Sequence, residues 1–199
     1  MDKIKIVYVD DNPDEEISKY LKKNYEHEDF LKEYEEIRFL SENGYDSLIN
    51  DPLIKEANIV LIDSKLFKND NVVSGKFTGE EFKVILKKML PFIEVLVVTQ
   101  NDLEDDFGTI QKYRKDLHEN PQEYYEMKLK SLLDDSIRNI LIYRNITNKL
   151  KKNEGIDKVL LEKIVNSLDG SAQYEELTTK DINEIIIAFR ELQGVIDCE

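Results

Sequence analysis

The chain has 199 residues, enough for one compact domain with an appendage or for two small domains. Hydrophobic residues make up 41%, so a core can form, and the 35% that are charged are dispersed rather than gathered in long single-sign blocks, which argues against a disordered polymer. A net charge of −14 opposes nucleic acid and anionic membranes as direct ligands, and a single cysteine, Cys198, excludes an intrachain disulfide and a thiolate zinc cluster.

Residues 3–9, KIKIVYV, are β-branched and apolar and run into Asp10 and Asp11, which predicts a buried strand. Pro13 stands near a helix start with Asp14, Glu15 and Glu16 in its first turn, where acids suit the helix dipole; Ile17, Tyr20, Leu21 and Tyr25 form its apolar stripe. Residues 34–40 predict a second strand, and residues 45–57 a helix interrupted near Pro52. Residues 57–63, ANIVLID, are the clearest strand and end at Asp63. A polar loop from Ser64 to Lys76 leads to Thr78-Gly79-Glu80-Glu81, which opens a helix carrying Phe82, Ile85, Leu86 and Met89 and stopped by Pro91. Residues 93–99, IEVLVVT, form another continuous apolar strand, the kind that is covered on both faces in a parallel sheet.

Residues 101–107 are acidic and hold at most a short helix, and GTIQKY (108–113) predicts a fifth strand. Asn120-Pro121-Gln122-Glu123 has the cap, the first-position proline and the third-position acid of a helix start. The helical pattern then continues through Leu129, Leu132, Leu133, Ile137, Ile140, Leu141 and Leu150 without a breaker. About 30 residues of helix would be ~45 Å long, against strands of ~20 Å, so its second half must project or pack elsewhere. Residues 156–168 and 179–193 carry two further apolar stripes, with a stop at Asp169-Gly170. The expected organisation is a domain over 1–140, its last helix continuing to about 152, and a helical extension over 153–199 packed on the end of that helix as a three-helix unit. Residues 151–199 hold 6 basic and 11 acidic residues, which argues against DNA binding by the extension. No signal peptide and no apolar run near ~18 residues is found, so the expected location is the cytoplasm, with no membrane contact.

Strands alternating with helices indicate an α/β fold, and the arrangement expected is a flavodoxin-like doubly wound five-stranded parallel sheet of order 2-1-3-4-5 with a C-terminal helical extension. In that order the first, third and fourth strands are adjacent. Asp10, Asp11, Asp63 and Thr99 would then converge outside their carboxyl ends, where ligands bind in such sheets. Three carboxylates so close repel one another unless a cation intervenes, and Mg²⁺ suits an all-oxygen donor set. Asp63 would be a nucleophile forming an aspartyl phosphate, the metal and a lysine would neutralise the phosphoryl group, and the Thr99 hydroxyl would bond one of its oxygens.

The motifs IVYVDD (6–11), IVLID (59–63), FTGEEF (77–82) and VLVVT (95–99) resemble, in order and context, those of response-regulator receiver domains. The resemblance covers roughly residues 3 to 140. It implies an acidic pair at Asp10 and Asp11, a phosphoacceptor at Asp63, Mg²⁺ held by Asp10, Asp11 and Asp63, and a conserved-type hydroxyl at Thr99. The lysine expected after the fifth strand is Lys112, or Lys130 if EYYEMKLK (123–130) is the strand instead. The implied function is a signalling phosphoacceptor rather than an enzyme: it takes a phosphoryl group from a sensor histidine kinase or a phosphotransfer protein. It then acts on an output protein, with self-association through the extension as one route.

The chain also departs from that pattern. Fourteen residues separate Asp63 from Thr78, the proline usual after the phosphoacceptor is missing, and Gln100 stands where a small residue is usual. Lys65, two beyond Asp63, is placed to alter attack of water on a phosphorylated Asp63, and no aromatic residue lies just before Lys112. These departures leave a second reading, a receiver-like scaffold that uses no phosphate. A metal-dependent phosphatase ranks below both, because such sites space their two acids by one residue. His27 and His118 fall in polar stretches without metal-ligand spacing and are expected to be solvated.

Overall fold

The computed structural model describes residues 2–40, 43–67, 78–101, 109–117, 120–152 and 158–169. The chain divides into two compact units, Met1–Ile140 and Leu141–Glu199. The first contains a five-stranded, all-parallel sheet of order β2-β1-β3-β4-β5, a flavodoxin-like α/β fold. Its strands are β1 (Asp2–Asp10), β2 (Phe30–Arg38), β3 (Ile59–Asp63), β4 (Glu94–Thr99) and β5 (Thr109–Gln111). Its helices are α1 (Glu15–Lys19), α2 (Gly44–Asn50), α3 (Pro52–Glu56), α4 (Gly79–Met89) and the start of α5 (Pro121–Lys151).

The central strands are apolar on both faces because both faces are covered. Val7, Val9, Val60, Ile62, Val95 and Val97 form one face and are buried with Phe39, Leu48, Ile54, Phe82 and Leu86 from the α2–α4 side. The alternate residues Ile6, Tyr8, Ile59, Leu61 and Val98 are equally buried on the other face. There the rings of Tyr20 and Tyr125 meet at 5.9 Å, and Tyr20 and Tyr25 donate to Glu126 and Asp134 on α5 at 2.8 Å each.

Several elements differ from the expected ones. Asp14 lies outside the first helical turn: it is the N-cap of α1 and accepts from the backbone of Glu16 and Ile17. α1 then widens into a π-helical turn, Tyr20–Asn24, whose end is held by Lys32 Nζ on the carbonyls of Lys22 and Tyr25. β2 begins four residues earlier than expected and is an edge strand, so pairing to β1 rather than an apolar pattern defines it. The start of the loop after β3 is not polar throughout, since Leu66 and Phe67 are fully buried. On α4 only Phe82 and Leu86 are buried among the four expected stripe residues; Ile85 and Met89 are exposed. His27 is half-buried, its ring stacked on Phe30 at 4.5 Å.

α5 starts as its sequence predicts, with Asn120 Oδ1 accepting from Gln122 N at 2.9 Å and Pro121 at the first position, and runs unbroken to Lys151. In the second unit, Leu150 is buried with Leu160 and Ile164 of α6 (Lys158–Asp169), and Ile146 and Leu161 pack against them. The expected helix over 179–193 and residue His118 lie outside the described residues. No helix among the described residues is long and apolar enough to cross a membrane.

Candidate functional site

Register brings the first two carboxylates together. In the β1–β3 pairing Val9 stands beside Ile62, so one residue further on Asp10 and Asp63 leave neighbouring strands at the same level. Both are buried. β5, on the far side of β4, ends at Gln111, and Lys112 N donates to Thr99 O at 2.6 Å. That bond fixes the backbone of Lys112, and its ammonium then reaches back to bridge Asp10 Oδ2 and Asp63 Oδ1, each at 2.8 Å. Lys130, by contrast, sits within α5 and pairs with Glu126, so residues 123–130 are helix and Lys112 is the lysine of the cluster.

Burial alone would lower the pKa of Lys112, but the hydrogen bonds and charges of Asp10 and Asp63 outweigh it and hold the ammonium above its ordinary 10.5. Asp63 Oδ2 accepts from the backbone N–H of Lys65 at 2.7 Å. Asp10 Oδ1 accepts from Asn12 N at 3.0 Å, and Asp10 Oδ2 also accepts from the hydroxyl of Tyr8 at 2.6 Å. Burial and the Asp10 charge push the Tyr8 hydroxyl far above its usual range, so it remains a donor.

The structure therefore brings Asp10, Asp63 and Lys112 into direct contact. Thr99 is beside them through its backbone, while its hydroxyl oxygen accepts from Asn101 N at 3.2 Å. Asp11 is half-buried one step beyond Asp10, and its carbonyl accepts from Arg38 Nε at 3.2 Å. Among the described residues no three histidine, cysteine, aspartate or glutamate side chains stand close enough to hold a metal ion. The expected trio Asp10, Asp11 and Asp63 is thus not gathered into such a group, and the Lys112 ammonium bridges two of the three. The two gathered carboxylates, Asp10 and Asp63, against the one ammonium of Lys112 leave one formal negative charge, and their oxygens are the donor type that a hard divalent ion takes.

The segment after Asp63 is tied down by α4. Gly79 N donates to Ser64 O at 2.9 Å, and the Ser64 hydroxyl donates to both oxygens of Glu80 at 2.8 and 2.9 Å. Gly79 is needed for this approach, since a Cβ there would lie 2.6 Å from the Asp63 carbonyl oxygen. Thr78 caps α4 in a reciprocal box with Glu81. The residues flanking Lys112 are held by α5: Tyr124 Oη donates to Gln111 O, and Tyr113 N donates to Tyr125 Oη, both at 2.9 Å.

Tyr8, the Lys65 amide and the Ser64–Glu80 pair are not among the site residues expected from sequence and join the site only in the fold. Tyr8 carried a readable signal: it is the one hydroxyl in an apolar strand and lies two positions before Asp10, on the same strand face. Compared with family models, with curated proteins and with solved structures, the chain matches none.

Proposed function

We propose that the chain is a phosphorylation switch of the receiver type, with Asp63 as phosphoacceptor. The observation that supports it most is the Lys112 ammonium bridging Asp10 and Asp63 at 2.8 Å each, at the carboxyl ends of adjacent central strands. In the reaction a carboxylate oxygen of Asp63 forms a bond to phosphorus as the P–N bond of a phosphohistidine breaks, and the electron pair returns to the imidazole. Lys112 stabilises the charge on the transferred phosphoryl oxygens, and the Thr99 hydroxyl turns to one of them. Asp11 and Asp63 would hold Mg²⁺, with Asp10 reaching it through a water. When bound, the ion shields the nucleophile from the anionic donor.

The phosphoryl donor on this reading is a sensor histidine kinase or phosphotransfer protein, and the output is a change in protein contacts, self-association included. A phosphoryl group on Asp63 draws Lys112 away from Asp10. Since Gln111 and Tyr113 are both bonded to α5 tyrosines, that shift reaches α5. A scaffold that uses no phosphate is the second reading, favoured by the lack of a three-carboxylate group among the described residues. Fluoroberyllate, a phosphoryl mimic, separates the two. On the switch reading it binds in the presence of Mg²⁺ and moves the amide resonances of residues 63–65, 99 and 112. Unchanged spectra at saturating Mg²⁺ favour the scaffold.

A further inference from the structure

We infer that Tyr8 is a positioning residue that fixes Asp10 as the anchor of Lys112. Tyr8 lies in β1, paired to β3 at Leu61 and to β2 at Glu36, and none of it is exposed. Its ring is fully buried, so its hydroxyl has little freedom. That hydroxyl donates to Asp10 Oδ2 at 2.6 Å and accepts from Asp14 N, the cap of α1, at 3.3 Å. Asp10 then takes three protein donors: Tyr8 Oη and Lys112 Nζ on Oδ2, and Asn12 N on Oδ1. A carboxylate offers about four lone-pair sites, so one remains, on Oδ1, which suits a water in an ion's shell better than a direct metal bond. Asp10 is consequently an anchor for the lysine first and an ion ligand at most through water.

The alternative is that Tyr8 only fills the core and its hydroxyl merely finds a partner. Tyr8→Phe keeps the ring and removes the donor. Lys112 ζ-ammonium exchange, read by ¹H–¹⁵N correlation without Mg²⁺, should be slow in the wild type. In Tyr8→Phe it should be faster by about tenfold, as loss of a hydrogen bond to a charged group implies. Exchange within about twofold of wild type, with the sheet amides in place, would overturn the inference. A measurement that needs no Tyr8 variant is the Tyr8 hydroxyl proton. It should appear as a slowly exchanging resonance that Asp10→Asn displaces; an unmoved resonance counts against the anchor.

A second readout rests on the phosphoacceptor reading. Labelling of Asp63 by acetyl phosphate should slow about tenfold in Tyr8→Phe at saturating donor, with the half-saturating donor concentration unchanged. A changed half-saturation with an unchanged maximal rate contradicts a positioning role. A wild type that is not labelled at all overturns the phosphoacceptor reading, and the exchange comparison alone then decides Tyr8.

Discussion

Replacing Gly79 by alanine sets two effects of opposite sign against each other. Alanine is favoured over glycine in a helix by about 1 kcal/mol, partly because the unfolded chain loses less freedom. At Gly79, however, the new Cβ would lie 2.6 Å from the Asp63 carbonyl oxygen and 2.9 Å from Ser64 Cα. Both are backbone atoms at the end of a central strand and cannot turn aside as a flexible side chain would. Overpacking of this kind costs about 1–3 kcal/mol, and a backbone obstacle places it toward the upper end. The clash therefore wins, with a net loss of about 1–2 kcal/mol. In urea, at a slope of about 2 kcal/mol/M, the midpoint should fall by about 0.5–1 M. Because α4 has to move off the segment carrying Asp63, phosphorylation should slow as well. A midpoint equal to or above that of the wild type would refute the close approach of α4 to β3.

Lys112→Met leaves the buried Asp10 and Asp63 carboxylates facing each other without their cation, and a loss of about 3–5 kcal/mol in urea unfolding is expected; adding Asp63→Asn should recover part of it. The hydroxyls of Tyr8, Tyr20, Tyr25, Tyr34, Tyr124 and Tyr125 all titrate above the ordinary tyrosine value, and Lys112 above the ordinary lysine value. The unfolded groups therefore lose their protons first, so this contribution is complete below about pH 10 and is lost as pH rises beyond it. Urea melts at about pH 8 and about pH 11 should show the fall, and equal stability at both would contradict the buried tyrosine network. Deleting residues 153–199 removes Leu160 and Ile164 from Leu150, uncovering apolar side chains worth about 1.5–3 kcal/mol each. The truncated chain should aggregate in light scattering, and a monomer of unchanged heat stability would show that α6 does not cover α5.

The sheet was legible because its inner strands carry continuous β-branched runs, and a parallel sheet has to bury both faces of such strands. The start of β2 has no apolar pattern because an edge strand carries charge on both faces, as Lys32, Glu33, Glu35 and Glu36 do, and its extent follows from pairing with β1. The π-helical turn at Tyr20–Asn24 had no readable signal, since its end is set by Lys32 from the next strand. Ile85 and Met89 were expected in the core from spacing alone, whereas α4 buries only the line through Phe82 and Leu86. In the site, Asp10 and Asp63 are legible from their positions at strand ends, whereas the resemblance leaves the lysine open between Lys112 and Lys130, and the fifth strand at Thr109–Gln111 decides it. What sequence could not supply was the order of contacts: which carboxylate the lysine would bridge, and that a tyrosine hydroxyl would share its oxygen on Asp10.

Phosphoryl transfer to Asp63 is tested most directly by intact mass after incubation with acetyl phosphate and Mg²⁺, for the wild type and for Asp63→Asn. A phosphoacceptor at Asp63 predicts one added phosphate on the wild type, removed by hydroxylamine and lost when Mg²⁺ is chelated, and none on Asp63→Asn. A wild type that stays unmodified, or an Asp63→Asn chain labelled equally well, would contradict it.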